Sequence, residues 1–181
     1  FGIRHTVPQS STDTSAWMGR AALSVLEVVR THAPQATIRL KYPNDIHVKV
    51  RDEWCKISGM LVEHEFIGST CASTVVGIGL NVLQEQGLDT IAQPYTSLFA
   101  IGASVDVPTV RRSMRDAFAY RLDSSAESIV LQWEHELLQQ QTALRITGES
   151  GDWFPRSLLH DGRLTLTDAT QQRQRVVSDG D

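Results

Sequence analysis

Arg39-Leu40-Lys41-Tyr42-Pro43-Asn44-Asp45 is followed by Lys56-Ile57-Ser58-Gly59-Met60-Leu61-Val62-Glu63, and then by Gly77-Ile78-Gly79-Leu80-Asn81-Val82. These are strand-like stretches joined by short connections. Such connections predict an antiparallel sheet, because a parallel pair needs a crossover of a dozen or more residues. Each stretch also carries polar or glycine residues inside an apolar run. A core strand gains nothing from a lysine, an asparagine or repeated glycines, whereas a ligand-facing strand does.

Upstream, Phe1 to Arg4 reads as the end of a strand and Pro8 to Asp13 as a polar loop. From about Ser15 to Thr31, Met18, Ala21, Ala22, Val25, Leu26 and Val29 recur at spacings of three and four, which predicts one buried helix face. Pro34 ends that helix. Ile38 and Leu40, then Ile46, Val48 and Val50, alternate with polar neighbours as strands do. Ile57 to Phe66 and Ser73 to Leu83 continue the sheet, and Gln84 to Gln93 reads as loop. Asp106 is a good N-cap, with Pro108 in the first turn of a helix running to Leu122. Ser124 with Glu127 suggests a capping box for a last helix that reaches Gln141. Beyond Thr142 the composition changes: Gly148 to Gly151 breaks the chain, Asp161-Gly162 signals a hairpin, and Arg173 to Val177 supplies a further strand. The predicted class is α+β: a mixed or antiparallel sheet with helices on one face, plus a small β unit.

Composition narrows the function. With 181 residues, 41% hydrophobic and 21% charged, the chain suits a globular fold with one sizeable core. A net charge of −4 argues against a nucleic-acid surface, which needs clustered Lys and Arg. No apolar run approaches the ~20 residues of a membrane helix, and no secretory signal is evident, so a cytoplasmic setting is expected. Cys55 and Cys71 are read as reduced thiols. His47, His64 and Glu65 match no zinc spacing, and no protein-only metal site is predicted. Trp133 is placed in the core, Trp153 and Phe154 at the seam to the C-terminal strands, and Arg173 and Arg175 on a solvated face.

Pro43 cannot donate to a sheet ladder, so its strand bends or lies at an edge there. Asn44 and Asp45 then either cap a turn or face a ligand. Lys56 is either a snorkelling surface side chain or a fixed cation between two anions. Gly59, Gly77 and Gly79 leave a bare strip of sheet on which a flat ligand can touch the peptide groups. Asn81 either ends a strand or contacts that ligand.

Taken together, these segments resemble the Lys-Trp-Pro-Asn-Asp, Lys-(Leu/Ile)-x-Gly-Ile-Leu-Val-Glu and Gly-x-Gly-(Ile/Leu)-Asn-(Val/Met) patterns of biotin protein ligases. The resemblance implies a class II synthetase-like catalytic domain over 1–142 and an SH3-like β domain over 143–181. It implies Lys56 as the catalytic lysine, and Lys41, Asn44, Asp45, Gly59, Gly77, Gly79 and Asn81 as substrate and nucleotide contacts, with Asp45 near Mg2+. Biotin and ATP would give biotinoyl-AMP, and biotin would pass to a lysine of a biotin carboxyl carrier domain. A homodimer is left open. Two departures stand out: Tyr42 occupies the tryptophan position, and the 181 residues contain no Gly-Arg-Gly-Arg-x-Gly-Arg loop. The resemblance therefore carries the expectation that the first third of the catalytic domain lies upstream of Phe1 and that this chain alone is weak or inactive. A degenerate ligase-like binding domain and a lipoate-type ligase are the competing readings.

Overall fold

The structure, a computed structural model, describes residues 2–5, 14–83, 93–139 and 143–178. Five strands, Gly2–His5 (β1), Ile38–Lys41 (β2), Asp45–Val50 (β3), Glu53–Ile67 (β4) and Thr70–Leu80 (β5), form one sheet in the order β1-β5-β4-β3-β2. Every neighbouring pair in it is antiparallel. Three more strands, Trp153–Leu158 (β6), Leu164–Asp168 (β7) and Gln174–Val177 (β8), make a second antiparallel sheet in that order. Helices Ala16–His32 (α1), Val107–Leu122 (α2) and Ala126–Leu138 (α3) complete the α+β fold.

The helical stripe read from the sequence is the one that packs. Ala21, Ala22, Val25, Leu26 and Val29 of α1 are buried against Leu40, Ile46, Val48, Met60, Val76 and Ile78 of the large sheet. Helices α2 and α3 cover the outer side of α1 through Val110, Met114, Phe118, Ile129, Val130 and Trp133. Arg20, inside α1, is tied to the end of α2 by bonds to the carbonyls of Arg121 and Ser124. The helices thus pack against one face of the sheet.

Helix starts follow local chemistry. The Asp106 carboxylate accepts from the Thr109 amide at 2.7 Å and caps α2. For α3 the cap is Ser125, which accepts from the Ser128 amide at 3.2 Å, so the cap falls one residue beyond the anticipated Ser124 and Glu127 is not three residues from it. Ser15 precedes α1 without capping it. The loop expected over Gln84 to Gln93 lies, but for Gln93, outside the described residues, as do 140–142, where the last helix was expected to end.

In the second sheet, Trp153 is fully buried and joins the main core. Arg173 and Arg175, read as a solvated face, are exposed, and they also lie over the Trp153 ring at 5.0 and 5.5 Å and pair with Asp168 and Glu149. Guanidinium stacking on an indole gives these arginines a packing role that charge patterning does not reveal. The Arg173 hydrogen bond, helped by amide donors at the β7–β8 turn, holds the Asp168 carboxyl down at about 2. A carbon-detected NMR titration should therefore place the Asp168 midpoint near that value. A midpoint close to the ordinary 3.9 would mean that the Arg173 contact does not form in solution.

Candidate active site

The site is built on an irregularity of register. Along β3, Asp45 and His47 are two residues apart and share a face of the sheet. Their partners on β4 are Gly59 and Lys56, which are three apart, because Ile57 is the extra residue of a bulge. In a regular strand, Lys56 and Gly59 would point to opposite faces. The bulge turns them to the same one, together with Gly79 and Gly77, the β5 partners of Gly59 and Leu61. Lys41 pairs with Asp45 and Arg39 with His47, so β2 adds two cations to this face.

Lys56 Nζ lies 2.5 Å from Asp45 Oδ1. Asp45 is buried, while about a third of the Lys56 side chain remains accessible. The ammonium leans over Gly59: a Cβ there would sit 3.1 Å from both Lys56 Cε and Nζ and 3.3 Å from Asp45 Oδ1. Only a glycine leaves that approach undisturbed. On the far side, Gly59 adjoins Gly79, whose Cβ would lie 3.6 Å from the Gly59 carbonyl.

Burial pushes the Asp45 carboxyl up, but contact with the His47 imidazole and the Lys56 ammonium, with Lys41 behind, holds it below the usual carboxylate range. A carboxyl depressed by folding contributes stability above its unfolded value near 3.9, and that contribution fades as pH falls through the folded value. Asp45→Asn should therefore melt lower than the wild type at neutral pH, with the gap closing below about pH 4. Melting curves of both proteins from pH 7 to 2 check this. A gap independent of pH would show that the carboxylate is not held as an ion.

The remaining predicted residues frame the same face. The Asn44 carbonyl accepts from the Met60 amide at 2.9 Å, and its side chain donates to the Met60 carbonyl at 3.0 Å, which fixes the β2–β3 turn to β4. Asn81 extends the β4–β5 ladder by donating its amide to Ile57, and its side chain donates to the Thr96 carbonyl at 3.0 Å. Beside Lys41, a cleft of about 430 Å³ runs between β2 and the second sheet, with Tyr42, Pro43, Leu144 and Val177 on its walls.

Other neighbours were not foreseen. The segment Pro94–Thr96 runs beside β4: the Lys56 amide donates to Pro94, the Thr96 amide donates to Lys56, and Tyr95 pairs with Lys56 in a parallel bridge. His47 is buried, with Nε2 3.9 Å from Asp45 Oδ2 and 3.3 Å from Gln93 Nε2. Its alternation with Ile46 and Val48 would have placed it on the face of Asp45. His64 lies elsewhere, 2.9 Å from the Thr74 hydroxyl. Among the described residues no three His, Cys, Asp or Glu side chains gather as a metal site, and no helix is long and apolar enough to cross a membrane.

No family model matches the chain, and no curated protein matches it. Solved structures do. The apo biotin protein ligase of Aquifex aeolicus superposes with a TM-score of 0.70 at 20% identity, over 99% of this chain and 80% of that one. The same enzyme in complex with biotin and ATP gives 0.67 at 20% identity, over 99% and 76%. A biotin protein ligase-like protein of unknown function from a Silicibacter species gives 0.74 at 16% identity, over 97% and 76%. The chain has the biotin protein ligase fold.

Proposed function

We propose that this chain carries the chemistry of a biotin protein ligase, forming biotinoyl-AMP from biotin and ATP and passing biotin to a lysine of a carrier domain. The observation that supports it is the Lys56 ammonium lying against Gly59, whose ladder partner Gly79 continues the bare strip on the face opposite the helices. A carboxylate and a polyphosphate repel each other, and a fixed cation between them stabilises the charge that grows as they react. In this reading a biotin carboxylate oxygen bonds to the α-phosphorus of ATP and pyrophosphate departs. The carrier amine then attacks the acyl carbon, AMP leaves, and the amine proton goes to solvent. Lys56 serves the first step, Gly59, Gly77 and Gly79 admit the substrate against the backbone, and Asn81 contacts the adenine. Lys41 and Asn44 border the phosphates.

Asp45 is the residue that would hold Mg2+. The fit is good: one buried carboxylate kept ionised is what a phosphate-borne magnesium asks of a protein, since it retains waters and substrate oxygens as its other ligands. When bound, the ion would offset phosphate charge. The division into a catalytic domain over 1–142 and an SH3-like domain over 143–181 belongs to the same proposal. So does the fit to a carboxyl carrier domain as acceptor.

Biotin-dependent exchange of labelled pyrophosphate into ATP tests the reading, and lipoate run in parallel separates the two ligase branches. Exchange driven by biotin supports it. Exchange with lipoate alone, or biotin binding with no exchange, would replace it with the lipoate-type or the binding-only reading.

A further inference from the structure

Two hydroxyl groups clasp one turn of the second sheet. Ser15, which caps nothing in its own helix, donates to the His160 carbonyl at 2.5 Å. Tyr42 donates to the Gly162 carbonyl at 2.9 Å, with the Val177 carbonyl of β8 at 3.4 Å, while its ring stacks on Trp133 at 6.4 Å and 21°. Gly162 has a φ of +84°, and a Cβ there would lie 3.2 Å from Ser15 Cβ. The β6–β7 turn thus sits like a peg between the start of α1 and the turn that joins β2 to β3.

That β2–β3 turn is the one that carries the candidate site. Two residues beyond Tyr42, Asn44 is bonded in both directions to Met60, and the next residue, Asp45, holds Lys56. We propose that Tyr42 is a positioning residue: its hydroxyl transmits the seating of the C-terminal sheet to Asn44 and Asp45 and so sets the geometry presented to the nucleotide. The consequence for nucleotide use rests on the ligase reading; the mechanical coupling does not. A tryptophan at this position would bring a larger ring and an indole N–H in place of the phenolic hydroxyl that reaches Gly162. The departure from the family pattern therefore has a structural partner in this chain.

Tyr42→Phe tests the idea, because it removes one oxygen and keeps the ring. One net hydrogen bond corresponds to about a fivefold change in a local opening equilibrium. Hydrogen exchange of the Met60 amide, which is bonded to the Asn44 carbonyl, should quicken about fivefold. Amides in α1 away from the clasp should keep their rates. In pyrophosphate exchange, KM for ATP should rise by a similar factor while kcat and biotin binding hold, a split that general destabilisation would not give. Gly162→Ala, which forces the turn away from Ser15, should produce the same signature, and the double variant should add little to either single one. An unchanged Met60 rate in Tyr42→Phe overturns the proposal, as does strict additivity of the two substitutions. Should the wild type catalyse no exchange, the ligase reading falls, and the amide rates still decide the coupling.

Discussion

Lys56→Ala is expected to lower biotin-dependent pyrophosphate exchange by about 10²–10³-fold, the usual loss when one preorganised donor to a developing anion is removed. The side chain is about a third accessible and its one salt-bridge partner among the described residues is Asp45, so the fold should survive its removal. What the variant loses is a cation already placed over the glycine strip. Lys56→Arg should not restore the rate. A guanidinium is planar and wider than an ammonium, and it would have to fit between Gly59 and the Asp45 carboxylate, where the compact lysine head now sits. Steady-state exchange with both variants, alongside circular dichroism to confirm folding, measures the effect. Activity within tenfold of the wild type in Lys56→Ala would move the chemistry to another cation, and Lys41, across the β2–β3 pair, would be the first to examine.

The largest loss of stability should follow Trp133→Ala. Trp133 is 2% exposed on the inner side of α3, part of the core shared by α1, α2 and α3, and its ring underlies Tyr42. Emptying a site of that size costs about 3–5 kcal/mol, which for a chain of this length lowers the melting point by roughly 10 °C. Thermal and urea unfolding should agree on the loss. Trp133→Phe, which retains an aromatic surface for Tyr42, should lose much less. If the two variants melted alike, neither the volume nor the aromatic surface that Phe retains would contribute to stability.

The α+β class, the antiparallel order of the strands and the buried stripe of α1 were legible in the sequence because they follow from periodicity. Val25, Leu26 and Val29 repeat at helical spacing, and Ile46 and Val48 alternate as half-buried strand residues do. The candidate residues were legible for a different reason: lysine, asparagine and glycine are out of place in strands, and the patterns they form are uncommon in combination. What could not be read was how they meet. Counting residues along β4 puts Lys56 and Gly59 on opposite faces, and no local signal announces that Ile57 is supernumerary. The Tyr42 contact to Gly162 spans 120 positions, beyond the reach of any window of sequence. Arg173 and Arg175 are exposed as read, but their stacking on Trp153 was not legible, because charge suggests only water whereas a flat cation is equally at home against an indole.

The doubled step at Ile57 has a consequence for anyone who aligns or redesigns this protein. Parity along β4 changes there: residues an odd number of positions apart share a face when Ile57 lies between them, and residues an even number apart share one when it does not. Were Ile57 instead paired into a regular ladder, Lys56 would stand three ordinary steps from Gly59 and its ammonium would swing round to the hydrophobic interior beneath α1. The imperfection in the weave is what keeps the reactive charge on the outside.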